Sequence, residues 1–432
     1  GEDEVIGVDC NYHMGYKVDQ GDFWGWQAEH DGWGAGFMDC KTLNLDFTTP
    51  NDGFRWNRDL WPASWYGIRK CNTGLANLDL LTDATQEQKN AIAGQLYFFR
   101  GWFHFMLIQY FGGLPYIDKV LPPNETFNEP RLSYHECADK AAEDFKKAVE
   151  LLPVDWDKTT VGKQTVGKNK FRPNKIAALC FLGKNYLWAG SPLMNEVSKE
   201  NPDFKNVNGY NKEYCQKAAE AFGEALKINK ETGLYQLSSY ENYMNIFYTY
   251  DQGYKIPGEK EAIFYENSSN NNWLWNQVTD YRPTSLIAAG IKVYPTANYV
   301  DYFGMANGKP IKDITKKDAD SGYDPEYPFK NRDPRLEQSI FHHGSIWGDK
   351  SQDEERAVDV SVGGKDYQEL HGGTTTGYYS KKFVHNMSFK NPTTYITACP
   401  IFRYAEILLN AAEALNEAKG PEAAYDYVNQ VR

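Results

Sequence analysis

The chain has 432 residues, with 58 Asp and Glu against 46 Lys and Arg, a net charge of −12 and 41% apolar residues. Such a length buries roughly three quarters of the unfolded surface, enough for one large domain or two to three smaller ones without a disulfide scaffold. The acidic balance opposes attraction to phosphate backbones and anionic headgroups, so nucleic acid is excluded as an expected partner.

Residues 1–57 form a loop-rich segment. Gly1 to Val5 carry neither the basic nor the apolar region of a signal peptide, and no run of 18 apolar residues occurs anywhere. Trp24, Trp26 and Trp33 stand among glycines, and Phe54, Trp56 and Trp61 precede the first helical pattern. Helical signals dominate 58–233. The clearest covers 85–111, where Ile92, Leu96, Phe99, Phe103, Met106 or Leu107, and Tyr110 recur at three and four, predicting one continuous buried face. Thr85 with Gln88 has the capping-box spacing, and Gly112, Gly113 and Pro115 supply the stop and the exit. Ser133 with Glu136 repeats the device for a helix reaching Leu152, which Pro153 ends.

Two later stretches share a register. Residues 141–149 and 218–226 both read A-A-E-x-F-x-x-A-apolar, so small side chains leave a groove that the ring of Phe145 or Phe222 fills. Leu179, Leu182, Gly183 and Tyr186 have the spacing of a first tetratricopeptide helix, and Ala218 with Phe222 that of a second. The repeats are degenerate, because the stretch around 195–211 interrupts them. Residues 234–400 are irregular and aromatic-rich, with Trp273, Trp275 and Tyr281 following Asn270, Asn271 and Asn272. Long aperiodic stretches are uncommon unless they carry function, so the ligand is expected there. Residues 401–432 return to the helical pattern as Arg403 to Glu417 and Pro421 to Arg432, predicting a further hairpin. The pattern has no capping glycine at Arg432, so this helix is expected to continue.

The expected fold is therefore mostly α: degenerate tetratricopeptide-like hairpins packed against a loop-rich region with few short strands, as one compact domain. The seven cysteines are scattered without a C-x-x-C pair and read as buried small hydrophobes, with one disulfide among Cys10, Cys40 and Cys71 as the alternative.

The chemistry points to binding. The chain carries 12 Trp, 23 Phe and 30 Tyr, many outside periodic segments. A sugar needs a π-face beneath its C–H side and planar donor-acceptor groups at its hydroxyl edge. The three clusters supply both, so the candidate glycan contacts are Trp24, Trp26, Phe54, Trp56, Trp61, Asn272, Trp273, Trp275 and Tyr281. Packing beside the helical layer is the competing reading for each cluster. Catalysis finds no frame. Asp46, Asp59, Asp280 and Asp301 lie near aromatic clusters without a motif, and no G-x-S-x-G, H-E-x-x-H or phosphate loop occurs. Adjacent His342 and His343 diverge, so no metal and no cofactor is expected. A helical-repeat scaffold that binds only protein or peptide is one alternative, and a glycosidase with two carboxyls roughly 5 to 9.5 Å apart is another.

Several segments, taken in order, resemble the SusD/RagB family of outer-membrane nutrient-binding lipoproteins. They are Trp65-Tyr66 through Cys71-Asn72, Leu96 to Phe103, Tyr110 to Pro115, Arg131-Leu132-Ser133, and Arg172 to Lys175 with Ala177-Ala178. Pro295-Thr296, Asp301 to Phe303, Asn307 to Pro310, Asn331 to Arg335, and Arg403 to Arg432 complete the set. Gly101 departs from the alanine usual there. The resemblance implies a non-catalytic protein, lipid-anchored on the extracellular face of the outer membrane, with the anchor outside these residues. It also implies a lid on a SusC-like TonB-dependent transporter, to which glycan or peptide is passed. It places the ligand in loops, here Phe54 to Trp61 and Asn270 to Tyr281. Arg100, Arg403, Glu406 and Arg335 are expected as structural charges pairing within the helical layer.

Overall fold

The computed structural model describes residues 60–122, 124, 127–194, 209–249, 259–265, 295, 297–347, 356–367, 374, 376–381, 396–397 and 400–431. The chain forms two compact units. One, helical, takes in 43–237, 260–265 and 401–432; the other, loop-rich, takes in 1–42, 238–259 and 266–400.

The helical unit runs α1 (Leu60–Ala76), α2 (Gln86–Phe111), α3 (Tyr134–Leu151), α4 (Lys175–Gly190) and α5 (Lys212–Thr232). Strands β1 (Ala262–Tyr265) and β2 (Pro400–Arg403) pair before α6 (Tyr404–Lys419) and α7 (Tyr425–Val431). Each helix packs on the next from α1 to α7, the one-dimensional stacking of a solenoid. The fold is mostly α, as expected.

Local chemistry sets the helix ends. Thr85 accepts from the Gln88 amide at 3.3 Å while Gln88 Oε1 accepts from the Thr85 amide at 2.8 Å, so both capping-box bonds form. Ser133 and Glu136 repeat the exchange at 3.2 and 2.8 Å. Asn174 caps α4 by accepting from the Ala177 amide, and donates to Tyr235 Oη. Gly233, at φ 64°, closes α5 in the left-handed conformation.

The shared register packs as the spacing predicts. Ala141, Ala142, Phe145 and Ala148 are buried, and so are Ala218, Ala219, Phe222 and Ala225. A Cβ added at Gly183 would lie 2.7 Å from the Phe222 ring, so the ring fills the space that the glycine leaves. Gly101 acts similarly, since a Cβ there would stand 3.2 Å from the Ala141 carbonyl. The departure from alanine thus lets α2 approach α3. Phe98 sits at the centre, edge-on to Phe145, Phe181 and Phe264 at 5.4 to 5.9 Å.

Helix α2 differs from its predicted single face. Leu96 and Phe103 meet glycines 74 and 67 of α1 and are half-buried, and Ile92 is 38% exposed. The fully buried positions are Phe98, Phe105, Leu107 and Ile108. The helix lies between α1 and α3, so it needs apolar groups on two sides.

Three ion pairs tie the unit together. Arg100 Nε and Nη2 donate to the two Asp144 oxygens at 2.8 and 2.5 Å, both side chains being buried. Lys184 pairs with Glu406 at 3.0 Å, and Arg403 with Glu261 at 2.9 Å. Arg335 departs from expectation. It lies in the loop-rich unit and pairs with Asp333, two residues away, with 58% of its side chain exposed. Its neighbour Arg332 is the buried one, donating to the carbonyls of Val300, Phe303, Gly304 and Pro328 at 2.6 to 3.4 Å. Asp333, which caps the short helix Pro334–Ser339, stands between the two arginines and holds Arg335 at the helix start.

The described part of the loop-rich unit contains two-residue antiparallel pairs: 248–249 with 396–397, 340–341 with 379–380, and 346–347 with 356–357. Val300, Leu336 and Ile340 form a small core there. The four described cysteines, Cys71, Cys137, Cys180 and Cys215, are buried free thiols, as the sequence predicts. Cys10, Cys40 and Cys399 lie outside the described residues.

Candidate functional site

A groove of about 510 Å³ opens in the helical unit, lined by Trp65, Ile68, Arg69, Asn72, Pro115, Ile117, Lys119, Leu121 and Phe127. Its volume falls within the usual range of small-ligand sites. Two periodicities build it. Trp65, Ile68, Arg69 and Asn72 stand at i, i+3, i+4 and i+7, one face of α1. Pro115, Ile117, Lys119 and Leu121 alternate along the extended chain that leaves α2, one face of a period-two segment. Gly112, at φ 70°, turns the chain out of α2 into that course.

One amide joins the walls. Asn72 Nδ2 donates to the Ile117 carbonyl at 2.9 Å and the Lys119 carbonyl at 3.0 Å, and its Oδ1 accepts from Arg100 Nη1 at 2.9 Å. Arg100 also donates to the Asp118 carbonyl, and Tyr116 Oη donates to Asp144 at 2.7 Å. The groove's base is therefore fixed by a connected polar network whose charges are paired.

His104 supports the aromatic wall. Its ring stacks on Tyr116 at 3.7 Å and meets the Trp65 indole edge-on at 6.0 Å. The Ile117 amide donates to Nε2 at 3.2 Å, so Nδ1 carries the proton and donates to the Arg100 carbonyl at 2.9 Å. Burial pushes the imidazole pKa down to about 3, so the ring is neutral at ordinary pH. Burial likewise pushes the Cys71 thiol up to about 12, against the lowering effect of Arg100.

The floor is buried and the rim is exposed. Ile68 and Ile117 are buried, Trp65 and Leu121 half-buried, and Phe127 is 54% exposed. Arg69 is exposed and makes no ion pair among the described residues. Lys119, 63% exposed, pairs with Glu129 at 2.7 Å. Among the described residues, none in the lining is a carboxylate.

The residues predicted from sequence fall elsewhere. Trp24, Trp26, Phe54, Trp56, Asn272, Trp273, Trp275 and Tyr281 lie outside the described residues. Trp61 stands in the first turn of α1, one turn before Trp65, and its side chain is also outside them. Sequence reasoning missed the groove, taking Trp65 only as part of a family motif. The combination of an i, i+3, i+4, i+7 stripe with alternation at 115–121 was the available signal.

Among the described residues, no helix is long and apolar enough to cross a membrane, and no group of three His, Cys, Asp or Glu is placed to hold a metal ion.

Comparison with known proteins agrees with the helical stack. Residues 260–432 match the SusD family, and residues 38–187 match a second SusD-like family described as starch-binding and associating with the outer membrane. The chain belongs to the SusD family. A curated relative, SusD-like protein P2 of Formosa agariphila, is 25% identical over 86% of this chain. The match spans 61% of that relative's length. A crystal structure of a SusD-like protein from Bacteroides fragilis is 25% identical, with a TM-score of 0.66 over 86% of this chain and 66% of its own. A SusD-like carbohydrate-binding protein from the same species, 21% identical, shares the fold at a TM-score of 0.60 over 86% of this chain and 64% of its own. The SusD fold thus accounts for the mostly helical stack and its short strands.

Proposed function

We propose that this SusD-family chain is a non-catalytic, cell-surface glycan-binding protein that passes oligosaccharide to a TonB-dependent outer-membrane transporter. One observation carries the reading: a half-buried Trp65 indole and an exposed Phe127 frame a largely apolar groove with cationic side chains at its rim. That arrangement suits a sugar, whose C–H face stacks on a ring while its hydroxyls meet the rim. Among the described residues the lining holds no carboxylate pair to serve as acid and nucleophile, which favours binding over hydrolysis. Phe54, Trp56 and Trp61 lead directly into the helix that bears Trp65, so they are proposed to extend the same platform. Trp24, Trp26 and the set Asn272, Trp273, Trp275 and Tyr281 are proposed as further contacts. On α6 and α7, Leu409, Tyr425 and Val428 are exposed apolar side chains of the kind a protein partner covers, which supports a transporter contact. Lipid anchoring at the outer face of the membrane belongs to the same proposal.

Affinity is expected to be modest, because each stacked ring contributes about 0.5 to 1.5 kcal/mol beyond burial. Affinity electrophoresis against a polysaccharide panel tests the reading. Retention by at least one polysaccharide, reduced in Trp65→Ala and in the Trp273→Ala, Trp275→Ala double variant, supports it. Absence of retention across neutral and acidic polysaccharides overturns it, and sugar release would replace it with a glycosidase.

A further inference from the structure

The groove's hydrogen-bonding capacity is one-sided. Its polar lining side chains are Arg69, Lys119 and Asn72. Both donors of Asn72 are taken by the carbonyls of Ile117 and Lys119, and its oxygen accepts from Arg100. Lys119 is held by Glu129, so what remains at the rim is the Arg69 guanidinium, which donates and never accepts. A neutral sugar hydroxyl both donates and accepts, and a cation answers only half of it. A carboxylate or sulfate only accepts, and a planar guanidinium meets two of its oxygens together.

Charge strengthens the argument. The chain as a whole has 12 more acidic than basic residues, 58 against 46. Among the described residues the lining nevertheless includes two cations, one of them paired with Glu129, and no anion. Arg69 has no carboxylate partner among the described residues and shares one face of α1 with Trp65. An arginine unneutralised beside an indole is placed for a ligand with an apolar face and a negative edge.

Resting on the glycan-binding reading, we propose that the groove selects acidic oligosaccharides, with the anionic substituent on Arg69 and a sugar face on Trp65. Two chemistries fit, a uronate carboxylate and a sulfate ester, and both present acceptor oxygens only.

Titration calorimetry with three probes tests this: an oligogalacturonate, a sulfated galactan oligosaccharide and a neutral cello-oligosaccharide. The expected result is tighter binding of at least one acidic probe, weakened by salt. Arg69→Ala is expected to lower that binding about tenfold and to lower neutral binding by clearly less. Arg69→Lys should recover part of the loss, because an ammonium keeps the charge and loses the fork. Arg69 is exposed on α1, so far-UV circular dichroism should confirm that both variants fold. The acidic probe bound more tightly assigns the substituent. Equal affinity for neutral and acidic probes, or acidic binding indifferent to Arg69→Ala, overturns the selectivity and leaves the glycan reading standing. If the wild-type chain binds no probe of either class and no polysaccharide of the wider panel, the underlying reading fails with it.

Discussion

The helical unit and the loop-rich unit each bury an arginine, and they satisfy it differently. In the first, Arg100 faces Asp144 in a two-point ion pair and reaches Asn72 and the Asp118 carbonyl with its remaining nitrogen. In the second, Arg332 is held by four backbone carbonyls, and no carboxylate pairs with it in the described structure. The first arrangement needs two side chains 44 positions apart and fixes how α2 meets α3. The second needs a loop course that turns its carbonyls toward one point. Side-chain pairing locks elements together, whereas carbonyl coordination gives shape to a segment that has little regular structure of its own.

Removing Asp144 should show the first mode at its strongest. Asp144→Ala leaves the buried Arg100 charge without its partner, and a loss of about 3 to 5 kcal/mol is expected in urea unfolding followed by far-UV circular dichroism. A loss below about 1 kcal/mol would mean that the pair does not lock α2 to α3. Acid gives the next largest effect, through His104. An unfolded imidazole takes its proton near pH 6.5, whereas the folded ring does so only near 3. Stability from this group is therefore fully present above about pH 6.5. It falls by up to about 1.4 kcal/mol per pH unit as pH drops toward 3. His104→Gln should flatten that slope, and an unchanged slope would remove His104 as its source.

Packing comes third. Gly183→Ala drives a methyl into the Phe222 ring, with an expected cost of about 1 to 3 kcal/mol. Smallest is Arg335→Ala, which removes an exposed pair two residues apart and should change stability by no more than about 0.5 kcal/mol. Arg332→Ala is its counterpart, stranding four buried acceptors, and a loss well above that of Arg335→Ala is expected. Equal losses for the two arginines would erase the contrast between the units.

The same contrast explains what could be read from sequence. Capping boxes at Thr85 and Ser133 and the Ala–Phe register of α3 and α5 are local patterns, and they formed as predicted. Charges within the helical layer were also legible, because Arg100, Arg403 and Glu406 fall on periodic or strand positions. Arg335 was assigned to that layer from a family motif, whereas Asp333 and Pro334 start a short helix, Pro334–Ser339, whose first turn holds Arg335 against its own cap. The groove was illegible for a related reason: its walls are ordinary stripes until Asn72 joins them across 45 residues. The side chains of the aromatic clusters named from sequence lie outside the described residues, whereas Trp65 lines the described groove.

Cys71 offers a way to watch the groove open. It stands on α1 next to Asn72, buried, with burial holding its thiol protonated up to a pKa of about 12. Alkylating reagents attack the thiolate, so this sulfur is silent while the wall is shut. Its modification rate, read by peptide mass, becomes a clock for how often α1 parts from its neighbours, and any bound molecule that bridges the two walls should slow that clock.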